Sequence, residues 1–380
     1  MKKIIFKKLL REIFFFFLIS SLALTSIIWV IQAVNFLDIV SEDGHSFKVY
    51  FSYTLLTIPR IFNKIMPFAY FFSIFYIINN YEEKNQLLIY WTHGIKKREF
   101  LNTIVKFSFL FLILQFLLSV LIVPYSLDKA RSFIRTSSLD FFPSLIKPKR
   151  FIDTVENLTI FIESKDKNGL IRNVLLKEKI DKDSEQIILS KTGEIFFDDN
   201  GKYLILYNGK IINTGNKKES SVFNFKETKF DLNKFTTKTT TYPKIQELKT
   251  SQLFNCAQIL LSKNQIIQKV KARNFYQMNC EKSFLENIIQ ELFKRIYLPI
   301  YIPLIALIAS ILILRSKNSY KYSIFKVYIF TGGVFFLILS EISLKFAGIN
   351  SLYNILFLII PIFSFLMIYT IFTNKLNLDK

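Results

Sequence analysis

The chain has 380 residues, with 50 Lys+Arg against 29 Asp+Glu, a formal net charge of +21 and 51% hydrophobic residues. Only 10 Gly, 9 Pro and two Cys, beside 42 Phe, exclude a collagen-like chain, a disordered chain and a disulfide scaffold. So much apolar mass beside so large a charge imbalance requires the two to be segregated along the chain.

Six stretches reach the roughly 20 apolar residues that cross a bilayer. The first, residues 13–34, follows a basic leader of Lys2, Lys3, Lys7, Lys8 and Arg11. It is longer than a signal-peptide core of about 7–15 residues and no small-x-small cleavage site follows, so it reads as an uncleaved helix. The second, 54–78, carries Pro59 and Pro67, with Arg60 and Lys64 in its first turns. Four apart, Arg60 and Lys64 share one helix face. Two readings fit them. They meet anionic phosphate groups of a lipid substrate, Arg bidentately and Lys as a point charge, or they snorkel to headgroups as anchors.

The loop 79–100 follows. Leu87, Leu88, Ile89, Tyr90 and Trp91 form an apolar run between Glu82-Glu83 and Lys96-Lys97-Arg98. This pattern suits a helix lying at the membrane interface with its basic flank on anionic lipid. It suits equally a docking helix for a cytoplasmic protein, ended by Gly94 as a C-cap. The third span covers 104–123.

A polar insert, 124–294, reads first as strands and then as helix. Strand-like runs lie at 158–163, 174–176, 187–190, 194–197, 203–207, 210–212, 222–225 and 229–232. Turn signals separate several of them: Asn168-Gly169, Asp199-Asn200-Gly201, Asn208-Gly209 and Gly215-Asn216. Such short, closely spaced strands predict an all-β sandwich, jelly roll or barrel. From about Thr250, Leu253, Ala257 and Leu260 recur at helical spacing. Cys256 and Cys280 both fall in this part. An oxidising compartment permits a bridge, but a helical separation of 24 residues would hold them far apart unless the chain folds back between them, so two unpaired thiols are the plainer expectation. The last spans are 296–314, with Pro299 and Pro303 on one face, then 325–342 and 352–372. The four intramembrane prolines read as ordinary kinks or as hinges beside a substrate path.

Basic residues of the short loops alternate. The N-terminus, the loop with Lys84, Lys96, Lys97 and Arg98, and the loop with Arg315, Lys317 and Lys321 are rich in them. The stretch 36–53 instead holds Asp38, Glu42 and Asp43 against Lys48. Both termini are therefore expected in the cytoplasm and the insert outside. The expected fold is an α-helical membrane protein of six transmembrane helices with an external all-β, jelly-roll-like domain between helices three and four. Its parts are transmembrane helices one to three in 1–124, with a cytoplasmic coupling loop at 79–100, and the β-domain in 125–249. A helical connector in 250–295 and helices four to six in 296–380 complete it.

No G-x-x-x-x-G-K-[ST], G-x-S-x-G, H-E-x-x-H or C-x-x-C occurs, and His45 and His93 are isolated, so neither an enzyme nor a cofactor or metal site is expected. Any energy source is then a partner or an ion gradient.

The order of these features resembles the LptF/LptG family of lipopolysaccharide-export permeases. Pro59-x7-Pro67 looks like that family's paired prolines. Gln86-Leu87 through His93-Gly94-Ile95 is similar to its E-L/I…G motif, although Gln86 stands where the family has an acid, with Glu82 and Glu83 just upstream. Thr159 to Ser164 followed by Val174-Leu175-Leu176 looks like the start of its external domain, with the Phe161 to Ser164 stretch nearer the LptF side. Glu291-Leu292 with Arg295 and Pro299 resembles the start of its fourth helix. Gln32, Asn35 and Asp38 stand where the family places basic residues at the outer end of helix one, so other residues must meet the lipid's phosphates. The resemblance implies a subunit that pairs with a paralogous permease (LptG or LptF) on a cytoplasmic dimer of the ATPase LptB. It would draw lipopolysaccharide from the inner membrane and pass it to the β-jellyroll proteins LptC and LptA. On this reading Arg60 and Lys64 are substrate-binding, and Glu82, Glu83, Gln86, Leu87 and Gly94 form the ATPase-coupling site. No nucleic acid, metal or cofactor is implied. Two rival classes are a MacB/FtsX-like force-transmitting permease, which resembles a four-helix topology with its domain after helix one, and a membrane-anchored sensor, which predicts a cytoplasmic output domain.

Overall fold

A computed structural model describes residues 2–37, 40, 46–137, 148–155, 157–166, 170–181, 184–198, 201–214, 220–231, 244–261, 280, 282–349 and 351–378. The chain divides into two compact units, 1–32 with 54–130 and 242–380, and 33–53 with 131–241. The turn signals at Asn168-Gly169, Asp199-Asn200 and Gly215-Asn216, and the acids Asp38, Glu42 and Asp43, lie outside the described residues.

All six expected spans are helices long and apolar enough to cross a membrane. Span one is α1 (Lys2–Asn35). Span two comprises α2 (Phe47–Leu56) and α3 (Ile58–Glu83), which part at Thr57 because Pro59 cannot donate a backbone N–H. A short helix, α4 (Gln86–Thr92), occupies the following loop. Span three is α5 (Lys97–Leu117), a π-helical turn (Leu118–Ile122) and α6 (Val123–Ser137). It continues well past the apolar window, because the amphipathic sequence after Pro124 keeps its helical period where the hydropathy has fallen.

After the strands, α7 (Thr250–Leu261) and α8 (Leu285–Tyr297) form the connector. Span four proceeds through a 3₁₀ turn at Leu298–Ile300, which holds Pro299, into α9 (Tyr301–Ser310). Spans five and six are α10 (Tyr322–Phe346) and α11 (Ser351–Leu378). Every residue of α9 is buried, and it packs on α3, α5, α10 and α11. A segment that is apolar on all sides has no face for water or charge, so it takes the centre of the bundle.

Cys256 and Cys280 form a disulfide, which corrects the expectation of two free thiols. Leu253, Cys256 and Ala257 of α7 pack against Ile288 of α8. The two helices lie side by side, so the Cα atoms of the cysteines are 5.9 Å apart rather than separated along one rod.

The inserted unit is one six-stranded antiparallel meander, β1 (Phe151–Val155), β2 (Leu158–Lys165), β3 (Leu170–Asp181), β4 (Ser184–Asp198), β5 (Gly201–Thr214) and β6 (Ser220–Asp231), in chain order. Ile152 of the first strand and Phe230 of the last share one apolar cluster with Ile160, Ile162, Leu176 and Leu206, so the sheet curls its apolar face inward. Several short runs prove to be halves of long strands. Asn208-Gly209, expected as a turn, lies inside β5, with Gly209 paired to Ser190 on one side and Phe225 on the other. Leu204 and Leu206 face inward on one side of it and Ile211 packs inward on the other, an odd–even switch that strict alternation forbids. Asn208 makes the switch with a left-handed φ of 51°, and Asn173 does the same in β3 with a φ of 50°, between Ile171 and Val174, a conformation that Asn tolerates better than most residues. At Gly209 a Cβ would lie 2.1 Å from the Leu189 carbonyl oxygen, so the close backbone approach requires glycine.

Candidate functional site

The loop between spans two and three folds around α4. Asn85 starts it at a φ of 56°, and Gly94 stops it at a φ of 71°. The Gly94 N–H donates to the Trp91 carbonyl and the Ile95 N–H to the Tyr90 carbonyl, a Schellman closure that a left-handed Gly94 makes possible. The expected C-cap at Gly94 is therefore the observed helix stop.

Span one holds this helix in place. Lys2 Nζ donates to the Gly94 carbonyl at 3.1 Å and to Glu99 Oε2 at 3.2 Å. Tyr90 Oη donates to the Ile5 carbonyl at 3.3 Å, and Tyr81 Oη to Glu12 Oε2 at 2.7 Å. Burial, with the Glu12 carboxylate nearby, pushes the Tyr90 phenol up to about 12, so it stays a donor across the physiological range. The loop before span five holds the end of α3 that leads into this helix. The Lys317 N–H donates to Glu82 Oε1 at 2.8 Å and Lys317 Nζ to the Glu83 carbonyl at 3.0 Å. Glu83 also accepts from Asn79 at 2.8 Å and pairs with Lys326 at 3.3 Å.

The expected coupling residues thus divide. Glu82 and Glu83 bind the chain's own basic loop. Leu87 is only 1% exposed and belongs to the bundle core with Tyr90, so it anchors the helix, while Gln86 is half-buried. The outward large apolar residues are Leu88, 60% exposed, and Ile89, 49% exposed. Sequence reasoning found this apolar run but not its outward pair, because seven residues are too few to set a helical phase.

Arg60 and Lys64 are both exposed on α3, with exposed Phe68 one turn further along the same face. Phe68 lines a groove of about 450 Å³ with Val334, Leu337, Ile338, Glu341, Ile342 and Lys345 of α10. The two helices pack closely at Gly333, where a Cβ would lie 2.1 Å from the Phe71 ring. An apolar trough with cations toward one end suits an amphiphile with an anionic head. Glu341 and Lys345 were not foreseen; the signal was that Glu341 is the one acid in span five.

On the curled sheet, Ile160, Ile162 and Leu206 are wholly buried in the inward cluster. The other face carries a cavity of about 460 Å³ lined by residues such as Phe161, Leu175, Leu189, Lys191 and Lys210.

Comparison with known proteins places the chain beside one family and one curated relative. The profile of the family described as "Lipopolysaccharide export system permease LptF/LptG" matches residues 7–375. A protein of Rickettsia prowazekii (strain Madrid E), "Uncharacterized protein RP871", is 21% identical over 189 residues, 50% of this chain and 52% of that protein. The match spans about half the length of that curated relative.

Proposed function

The chain belongs to the LptF/LptG family of lipopolysaccharide export system permeases, and from that premise we propose that it is a transport subunit, nearer LptF, of an exporter driven by a separate ATPase. In this reading the chain pairs with a paralogous permease in the inner membrane. Helix α4 docks a cytoplasmic LptB-type dimer. The substrate enters beside span two and passes along the inserted β-domain to LptC- and LptA-type β-jellyroll proteins in the periplasm.

One observation carries the reading. Helix α4 and its stop are fixed to span one, and the end of α3 that leads into α4 is held by the loop before span five, yet α4 leaves Leu88 and Ile89 facing outward. A helix fixed that way, showing an apolar pair to its surroundings, can transmit a push between an ATPase and the spans that hold it. The chain itself lacks a phosphate-cradling glycine loop, so hydrolysis falls to the partner. The alternation of basic loops supports placing α4 inside the cell and the insert outside. The Cys256–Cys280 disulfide supports an oxidising compartment for the connector.

Arg60 and Lys64 would meet the lipid's phosphates, Phe68 and the α10 wall its chains. Co-expression of the full chain with a paralogous permease and an LptB-type ATPase, followed by reconstitution in vesicles loaded with lipopolysaccharide, tests the proposal. Copurification of all three and ATP-dependent release of the lipid to a soluble β-jellyroll acceptor are expected. A stable complex that hydrolyses ATP but never releases lipopolysaccharide would refute the substrate assignment.

A further inference from the structure

Span three has a carbonyl that lacks its ordinary helical donor. In a regular helix the Val120 carbonyl would accept from the N–H of residue 124, but that residue is Pro124 and has none. The helix opens there into the π-helical turn Leu118–Ile122. The vacant acceptor is filled from far along the chain, since Thr250 Oγ1 donates to the Val120 carbonyl at 2.8 Å across 130 residues of sequence.

The direction of that bond is set by Arg295, a side chain that can only donate. Arg295 is 2% exposed. Its Nη1 donates to Thr250 Oγ1 and to the Leu248 carbonyl, each at 2.9 Å, and its Nη2 to the Gln246 carbonyl at 3.0 Å. Its Nε donates to Glu291 Oε1 at 3.1 Å. The Thr250 hydroxyl therefore accepts from the guanidinium and gives its single proton to Val120, so the two bonds polarise each other.

The same device recurs nearby. The Arg60 N–H turns back to the Thr57 carbonyl at the break before Pro59, and Ser126 Oγ donates to the freed Leu56 carbonyl at 2.6 Å. Span three is thus held by side-chain bonds on both sides of Pro124, and neither bond is part of a backbone ladder.

Chain order gives the node its meaning. The segment that leaves the bundle for the inserted β-domain begins at Pro124, and the segment that returns runs through Gln246, Leu248 and Thr250. We propose that Arg295 and Thr250 are positioning residues for transport, a clasp that ties the outgoing and returning segments of the inserted domain together and passes rearrangement of the helical bundle to that domain. The transport arm of this inference rests on the permease reading above; the clasp itself does not.

The test separates the two. Spin labels at Ile122→Cys and Phe254→Cys, both exposed positions, report the distance across the clasp in the full chain in nanodiscs, while the native cysteines stay bridged. Thr250→Val keeps the shape and removes the hydroxyl, and should broaden that distance distribution. Thr250→Ser should restore the narrow one. In the reconstituted exporter Thr250→Val should lower lipid released per ATP about tenfold, with the ATPase rate nearly unchanged, and Thr250→Ser should recover the yield. An unchanged distribution in Thr250→Val, or equal loss in Val and Ser, overturns the clasp. A broadened distribution with unchanged lipid per ATP overturns its role in transport. If the wild-type complex moves no lipopolysaccharide, the permease reading fails and the distance measurement still decides the clasp.

Discussion

Adjacent leucines in α4 should behave oppositely when truncated. Leu87 is 1% exposed within the bundle core, so Leu87→Ala leaves a cavity and should destabilise the permease by about 2–5 kcal/mol. Leu88 is 60% exposed, so Leu88→Ala should leave the free permease within about 0.5 kcal/mol of the original. The cost at Leu88 should appear only when the ATPase docks. Burying a whole Leu side chain stabilises by about 1.5–3 kcal/mol, and 60% of the residue remains to be covered. The loss on docking should therefore be about 1–2 kcal/mol, roughly 5–30-fold in Kd. Ile89→Ala, from a residue 49% exposed, should fall slightly below that. The assay pairs thermal unfolding of the purified permease with titration of the ATPase onto permease nanodiscs. Leu88→Ala binding the ATPase within twofold of the original, with the permease folded, would refute the docking face and leave α4 as a helix resting on lipid.

The remaining predictions concern the lipid site, the sheet and the orientation of the chain. Arg60→Gln with Lys64→Gln should weaken crosslinking of lipopolysaccharide and its release while leaving the complex assembled; normal transport would make both residues headgroup anchors. Gly209→Ala should destabilise the inserted domain by at least about 1–3 kcal/mol, because its Cβ meets the Leu189 carbonyl oxygen at 2.1 Å, and limited proteolysis of the full chain would register the loss. A reporter inserted after residue 200 should be active only on the outer side of the inner membrane, and cytoplasmic activity would sink the topology derived from the basic loops.

The sequence by itself determined the six spans, since a run of about 20 apolar residues has few stable places other than a bilayer or a core. It determined the stop at Gly94, a local matter of one left-handed residue. It also determined that strands fill the insert, because alternation and turn residues act over a few positions. Other features were decided by contacts between distant segments. Asn208-Gly209 reads locally as a hairpin, but pairing with β4 and β6 on both sides carries one strand through it, with Asn208 left-handed and the register unbroken. The cysteines read as too far apart until α7 and α8 pack side by side. Leu87 and Leu88 are identical in local sequence terms, and only the surroundings of α4 make one an anchor and the other a surface. Arg295 stands out in the sequence as part of the start of span four; its burial among the Gln246, Leu248 and Thr250 oxygens depends on a segment returning from the inserted domain. The division follows the range of the physics. Apolar periodicity, caps and turns are settled within a few residues, whereas which side of an element is buried, and which vacant carbonyl is filled, depends on what the rest of the chain brings beside it.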